Sequence, residues 1–248
     1  MTELIVALDV SSLSEAERIL GELKGQVSFY KVGLRLFTAE GKNAVELVQK
    51  FGGKVFLDLK MMDIPQTVGD AILEAGKLGA YSVSLYLWGG IRMLEAASRV
   101  QNRPKLWGVT VLTSLGDEDL KSFDVRDIKN LVKDLAHMGE GLLDGYVCSG
   151  QELQVFQNGF KKKPTLIVPG VRPAGSPIGD QKRVVTPAEA AKQGADFIVV
   201  GRPILATAEP AKMVDSILHE LKSGSVASTL DPSGVPAGTR STAKGAGG

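Results

Sequence analysis

Residues 55–67 read Val-Phe-Leu-Asp-Leu-Lys-Met-Met-Asp-Ile-Pro-Gln-Thr. The apolar run 55–57 has the character of a strand, and a helical, amphipathic pattern follows over residues 68–78. A strand followed by a crossover helix is the repeating unit of parallel α/β folds. Alternation along the strand predicts that the side chains of Asp58 and Lys60 share one face at the strand's end. Because a carboxylate and an ammonium are costly to bury there, the pair indicates a functional site.

The same unit recurs along the whole chain. Short strand-like runs alternate with amphipathic stretches such as 14–23 and 39–51, and glycines at 52–53, 79 and 194 stand where helix C-caps belong. The eight strand candidates are residues 4–9, 28–33, 55–59, 81–86, 106–112, 144–148, 165–168 and 197–200. Eight units, without a Gly-x-Gly-x-x-Gly turn after the first strand, predict an α/β protein with a single (β/α)8 TIM barrel rather than a doubly wound sheet.

Length and charge restrict the possible partners. A chain of 248 residues with 44% hydrophobic residues suits one barrel domain, predicted over 1–222. Because 29 lysines and arginines balance 28 acidic residues, no broad field favours nucleic acid or acidic membranes, and a small-molecule partner is expected. The single Cys148 excludes an internal disulfide framework and is predicted to be a buried, inert thiol.

The two ends of the chain support predictions about location and flexibility. The first residues, 1–9, read as a strand without a leader sequence, and no apolar run approaches the roughly 18 residues that span a bilayer, so a cytoplasmic protein without a membrane partner is expected. The last stretch, 223–248, is rich in Ser, Gly, Ala, Thr and Pro and is predicted to be a flexible tail.

Polar residues close several of the predicted strands. In a barrel of this kind the active site lies at the carboxyl ends of the strands. The polar residues at or near those ends are Asp9, Lys31, Asp58, Lys60, Thr113 and Ser114. Four charges of alternating sign are therefore predicted to meet above the barrel.

The loops after strands seven and eight predict a phosphate site. The first contains Pro169, Gly170 and Arg172 and continues past Gln181, and strand eight runs into Gly201-Arg202. Barrels frequently bind phosphate between these two loops, through N–H groups exposed at glycine and through arginine. A phosphorylated substrate is therefore expected, with the long loop after strand seven closing over it.

These motifs together resemble the orotidine 5′-monophosphate decarboxylase family, in its prokaryotic form, over about residues 1–222. The Asp-x-Lys-x-x-Asp-Ile-x-x-Thr element is the most specific of them. The matching segments are Ala7–Asp9, Tyr30–Gly33, Asp58–Val68, Leu112–Ser114, Pro169–Pro173, Gly179–Gln181 and Val200–Pro203. Many bacterial members carry His at the position of Met62 and Val-His-Ala at 85–87, where this chain has Leu-Tyr-Leu, and neither position belongs to the charged network.

The resemblance implies a set of site residues. Lys31, Asp58, Lys60 and Asp63 would form the catalytic charged network, and no cofactor or metal would be needed. The enzyme would be a homodimer in which Asp63, Ile64 and Thr67 reach the neighbouring subunit's site. The remaining implied substrate contacts are Asp9 to the ribose, Ser114 beside Thr113 to the pyrimidine, Gln181 between phosphate and base, and Arg202 on the phosphate.

The decarboxylation that the resemblance implies suits these residues. Loss of carbon dioxide from C6 of orotate leaves a carbanion without an adjacent carbonyl, and a preorganised cation such as Lys60 would stabilise and protonate it. Asp58 would lie near the substrate carboxylate, where repulsion raises the ground state.

Two alternatives remain open. A magnesium-dependent sugar-phosphate decarboxylase or synthase on the same barrel shares the Asp-x-Lys-x-x-Asp strand, but its relatives carry a metal-ligating Glu where this chain has Lys31, which would repel the cation. A non-catalytic nucleotide-binding barrel would keep the phosphate site but need not keep all four charges.

Overall fold

The computed structural model is a closed barrel of eight parallel strands, and it describes residues 1–121, 127–173 and 183–227, without the side chains of 225–227. The strands are β1 (Glu3–Ala7), β2 (Phe29–Gly33), β3 (Lys54–Met61), β4 (Ser82–Tyr86), β5 (Lys105–Val109), β6 (Gly145–Val147), β7 (Thr165–Val168) and β8 (Phe197–Val200). Each strand pairs with the next in chain order, and β8 closes on β1 through pairs such as Ile5 with Val199. The predicted (β/α)8 barrel is confirmed.

Helices form the outer layer of the barrel. They are α1 (Leu13–Glu22), α2 (Leu34–Glu40), α3 (Lys42–Lys50), α4 (Pro65–Lys77), α5 (Ile91–Ser98), α6 (Asp117–Leu120), α7 (Ile128–Met138), α8 (Pro187–Lys192), α9 (Arg202–Leu205) and α10 (Pro210–Ala227), with 3₁₀ segments at Leu87–Gly89 and Gly150–Phe156. The single helix predicted over 39–51 was wrong, because Gly41, with φ of 55°, separates α2 from α3. Within the described part of the chain, no helix is long and apolar enough to cross a membrane.

The core has two parts. Side chains inside the barrel, among them Ile5, Phe56, Trp107 and Ile167, form one buried cluster, and a larger cluster fills the space between the strands and the helices. Trp107 is 1% exposed, and its ring centroid lies 4.6 Å from that of Phe56. The barrel is therefore filled by large side chains, and the open space lies above them at the carboxyl ends of the strands.

The last helix is longer than the sequence predicted. Helix α10 continues to Ala227, so residues 223–227, which the composition assigned to a flexible tail, are helical. Gly224 explains the difference, since a Cβ there would come within 2.4 Å of the Ala188 carbonyl oxygen, so glycine lets α10 pack tightly on α8. The rest of the predicted tail, 228–248, lies outside the described residues.

Candidate active site

A cavity of about 240 Å³ opens at the carboxyl ends of the strands. Its walls combine charged and polar groups from six strand ends with an apolar floor. The lining residues are Ala7, Asp9, Lys31, Phe56, Asp58, Lys60, Val109, Val111, Leu112, Thr113, Ser114, Val147, Cys148, Pro169, Gly170, Arg172, Val199, Gly201 and Arg202. The charged and hydroxyl-bearing residues of this set are ones that the sequence placed at or after strand ends.

Four of the lining residues form a chain of alternating charge. The Lys31 ammonium lies 2.8 Å from Asp9 Oδ1 and 3.5 Å from Asp58 Oδ2. Lys60 Nζ donates to the same Asp58 oxygen at 2.9 Å. The ion pairs therefore link Asp9, Lys31, Asp58 and Lys60 in an unbroken chain across the carboxyl ends of β1, β2 and β3.

Gly33 makes room for this chain. A Cβ at that position would lie 2.6 Å from Lys31 Nζ and 3.1 Å from Asp9 Oδ1. Because backbone atoms of β2 fix Gly33 beside the ion pair, any side chain there would push the Lys31 ammonium away from Asp9. The geometry of the charges therefore requires glycine two residues after Lys31.

Lys60 reaches the cavity by a route that simple alternation did not predict. Its φ is +50°, and between the paired positions Leu57–Val83 and Met61–Leu85 the register of β3 against β4 shifts. The bulge extends β3 through Lys60 and aims its side chain back at Asp58. The predicted meeting of Asp58 and Lys60 is confirmed, but an irregular strand produces it.

Ser84, which the sequence reasoning missed, holds this bulge. Its buried hydroxyl donates to Asp58 Oδ1 at 2.7 Å and accepts the backbone N–H of Lys60 at 2.9 Å. A serine inside the apolar run of β4 was the available signal, because a buried hydroxyl needs a partner.

Electrostatics keep the two central groups ionised. Burial by itself would raise the pKa of Asp58, but the ammonium groups of Lys31 and Lys60 outweigh it and hold that pKa below its ordinary value. Burial would likewise lower the pKa of Lys31, yet Asp58 and Asp9 together raise it. Cys148 on the cavity floor is the opposite case, since burial raises its pKa to about 12 and leaves an inert thiol, as predicted.

The predicted phosphate residues line the same cavity at the ends of β7 and β8, and β8 is the neighbour of β1. Arg172 is 8% exposed, with Nη1 donating to the Val171 carbonyl at 2.9 Å, and Arg202 begins α9 directly after Gly201. A Cβ on Gly201 would come within 3.2 Å of the Ala7 side chain, so glycine keeps this wall close to β1. Gln181, the other predicted phosphate contact, lies outside the described residues.

Three predicted site residues do not line the cavity of the single chain. Asp63, Ile64 and Thr67 lie at the start of α4 with exposed side chains, and Asp63 Oδ1 accepts the N–H of Ile64 at 2.6 Å. Ile64 is 65% exposed. Their assignment to a neighbouring subunit's site stays a prediction.

The geometry leaves few places for a metal ion. Among residues 1–121, 127–173 and 183–227, no group of three His, Cys, Asp or Glu side chains has the arrangement that could hold one. The two carboxylates of the cavity, Asp9 and Asp58, are both joined to Lys31. An ammonium therefore occupies the position where a cation would have to bind.

The fold and the cavity together define a (β/α)8-barrel enzyme whose charged pocket lies at the carboxyl ends of the strands. A family model described as the orotidine 5′-phosphate decarboxylase / HUMPS family matches residues 2–217. The chain belongs to this family, and the resemblance inferred from its motifs is confirmed.

Individual relatives cover nearly the whole barrel. The chain is 40% identical over 230 residues to the orotidine 5′-phosphate decarboxylase of Pelobacter propionicus, covering 90% of this chain and 96% of the relative. It is 41% identical over 223 residues to that of Mannheimia succiniciproducens, covering 87% and 95%. The crystal structure of orotidine 5′-phosphate decarboxylase from Lactobacillus acidophilus superposes with a TM-score of 0.77 at 32% identity, covering 89% of this chain and 99% of that one.

Proposed function

We propose that this protein decarboxylates orotidine 5′-monophosphate to uridine 5′-monophosphate, a carbon–carbon lyase reaction of pyrimidine biosynthesis, without a cofactor. The observation that carries the proposal is the unbroken chain Asp9–Lys31–Asp58–Lys60 in a cavity that Arg172 and Arg202 also line. Family membership and the similarity to proteins named for this reaction support it. The enzyme is proposed to act in the cytoplasm.

Lys60 is the proposed acid of the reaction. When the bond between C6 and the carboxylate breaks, carbon dioxide leaves and the electron pair stays on C6. The ammonium of Lys60 stabilises this charge and then transfers a proton from Nζ to C6, after which the amine takes a proton from water. Because Asp58 holds Lys60 Nζ at 2.9 Å, the cation is in place before charge develops.

Asp58 and Lys31 would prepare the site. The Asp58 carboxylate is ionised and 7% exposed, so a substrate carboxylate placed beside it would be repelled, and this repulsion would be relieved as carbon dioxide leaves. Lys31 forms ion pairs with both Asp9 and Asp58 and so holds the two carboxylates together. Its charge also helps to hold the pKa of Asp58 below its ordinary value.

The phosphate would contribute binding energy at a distance from the reacting bond. Arg172, Gly201 and Arg202 line the cavity after β7 and β8, together with Pro169 and Gly170. Binding energy from a group that is remote from the reacting bond helps to order the site. Losing that interaction therefore lowers kcat/KM even though the reacting groups are unchanged. The predicted contacts of Asp9 to the ribose, Thr113 and Ser114 to the pyrimidine, and Gln181 to phosphate and base belong to the same proposal.

The magnesium-dependent alternative within the family name is disfavoured by Lys31. Its ammonium bridges the two carboxylates that a divalent cation would need. An enzyme of that kind would lose its activity when the metal is chelated, whereas an enzyme that catalyses the proposed reaction would keep it.

The working unit is proposed to be a homodimer with shared sites. Apolar side chains are exposed around the start of α4 and the turn after β4, namely Met62 at 56%, Ile64 at 65%, Trp88 at 41% and Ile91 at 43%. Such a surface favours burial against a second copy. A symmetric contact there would carry Asp63, Ile64 and Thr67 toward the partner's cavity.

The decisive experiment follows the loss of orotidine 5′-monophosphate absorbance in protein treated with EDTA, with the product identified as uridine 5′-monophosphate. Conversion by the wild type and its loss in Lys60→Ala, with tight product binding retained, are expected. Lys77→Ala is the matched control, because Lys77 forms only an exposed pair with Glu74. Near-normal turnover in Lys60→Ala would exclude Lys60 as the proton donor, and activity only on a sugar phosphate with magnesium would favour the alternative.

A further inference from the structure

One buried ion pair joins the loops that follow β5, β6 and β7 behind the cavity. Arg183, on the loop after β7, donates through Nη2 to the carbonyl oxygens of Val111 at 3.3 Å and Leu112 at 2.8 Å. Its Nη1 pairs with Glu152, whose side chain is 2% exposed. One guanidinium therefore fixes the end of the β5 loop against the segment after β6.

Glu152 is itself held in place. Its Oε2 accepts the backbone N–H of Ser149 at 3.1 Å, at the start of the 3₁₀ segment Gly150–Phe156. Ser149 directly follows Cys148, which lines the cavity floor. The carboxylate thus anchors Arg183 to a part of the barrel that the packed core makes rigid.

The contacts made by Arg183 lie next to residues that line the cavity. Val111 and Leu112 line it themselves, and Thr113 and Ser114 follow directly and line it too. A planar guanidinium can hold two carbonyls on one side and a carboxylate on another, which a single ammonium cannot do. A buried ion pair is weak evidence for added stability, so we look for its role in positioning the segment that Arg183 contacts.

We propose that Arg183 is a positioning residue that sets recognition of the pyrimidine, by fixing the Leu112–Ser114 backbone, although it lies on the loop assigned to phosphate. This inference rests on the proposed function, which places the base against Thr113 and Ser114. An effect on the phosphate is the competing reading, because the N–H of Arg172 bonds to the Val185 carbonyl at 2.9 Å, two residues beyond Arg183.

Two ligands separate these readings. Under the proposed function, ribose 5-phosphate would contact only the residues assigned to the phosphate and the ribose. Uridine 5′-monophosphate would also contact Thr113 and Ser114. Their inhibition constants are measured against decarboxylation in wild type, Arg183→Lys and the double variant Arg183→Met/Glu152→Met. The double variant removes both charges together, so no unpaired charge stays buried and the variant is expected to fold. Arg103→Met is the matched control, since Arg103 forms a partly buried pair with Asp144 at 2.6 Å at the other end of the barrel.

Both Arg183 variants are expected to bind uridine 5′-monophosphate at least about tenfold more weakly, while ribose 5-phosphate changes by less than about twofold. Arg103→Met should change neither. Equal losses for the two ligands, or unchanged affinity for uridine 5′-monophosphate, would overturn the inference. A wild-type protein that neither binds this nucleotide nor forms it would instead overturn the proposed function, and the inference with it.

Discussion

Replacing Ser84 with alanine tests the part of the site that lies behind the charged residues. Ser84 is fully buried, and its one hydroxyl serves both Asp58 and the backbone N–H of Lys60. Alanine removes the donor to the carboxylate and leaves the N–H of the bulge unpaired. No charged side chain is altered, so the variant probes positioning alone.

The expected magnitude follows from these two bonds. A hydrogen bond to a charged group contributes about 1.5–3 kcal/mol, and an unpaired buried N–H costs about 1–3 kcal/mol. Because Asp58 keeps both ammonium partners, we expect a loss of about 3 kcal/mol in the free energy of unfolding, which lowers Tm by roughly 6–12 °C. If the bulge relaxes and moves Lys60 Nζ by about 1 Å, kcat falls about 100-fold, with KM nearly unchanged.

The same strand supplies the control. Ser82 is also fully buried on β4, and its hydroxyl has no hydrogen-bond partner among the described residues. Ser82→Ala should therefore leave kcat unchanged and cost little stability. Thermal unfolding and steady-state kinetics of the two variants give the comparison. Equal effects of the two substitutions, or kcat within about twofold of wild type in Ser84→Ala, would refute the assigned role of Ser84.

Three further predictions concern the phosphate, the dimer and pH. Arg202→Ala should raise KM by about 100-fold or more and affect kcat less, as steady-state kinetics will measure, since it removes a charge-assisted contact to the phosphate. Mixing inactive Lys60→Ala and Asp63→Ala subunits should restore about a quarter of wild-type turnover, because half the dimers are mixed and each has one intact site; no recovery would contradict shared sites. The stability that the Lys31–Asp58 pair contributes should be fully present between the ordinary pKa values of 3.8 and 10.5. It is lost only as pH falls through the lowered pKa of Asp58 or rises through the raised pKa of Lys31. Denaturant titrations of wild type and Lys31→Met test this, and a changing difference near neutral pH would contradict it.

The barrel was predictable because its signals are local and repeated. Each βα unit carries its own apolar run, amphipathic stretch and glycine stop, and Gly52, Gly79 and Gly194 take the positive φ values that helix ends favour. The polar residues after the strands were equally readable, because the parallel topology brings all carboxyl ends to one face. Fold and cavity therefore follow from pattern and topology together.

The pattern could not reveal what depends on contacts between distant segments. Arg183 meets Glu152 and Leu112 only after three loops have folded, and nothing in their spacing marks the pair. Strand ends also differ from the predicted ones. The β5 strand stops at Val109, before the predicted 112, although the backbone N–H and the hydroxyl of Thr110 both bond to the Val147 carbonyl of β6 at 3.2 Å.

The backbone at Lys60 carries a cost that the site imposes on the fold. Among the described residues only Lys60 and Asn102 have positive φ without being glycine, and asparagine tolerates that conformation better than lysine does. Lys60→Gly should therefore be more stable than Lys60→Ala by about 1 kcal/mol, although both lack the ammonium and should be inactive. At Lys54, at the regular start of β3, the order should reverse, with alanine more stable than glycine by about 0.5–1 kcal/mol. Denaturant unfolding of the four variants measures both differences. Alanine more stable than glycine at both positions would show that Lys60 is not strained. The bulge would then be a feature of β3 itself rather than a conformation held in place for the catalytic ammonium.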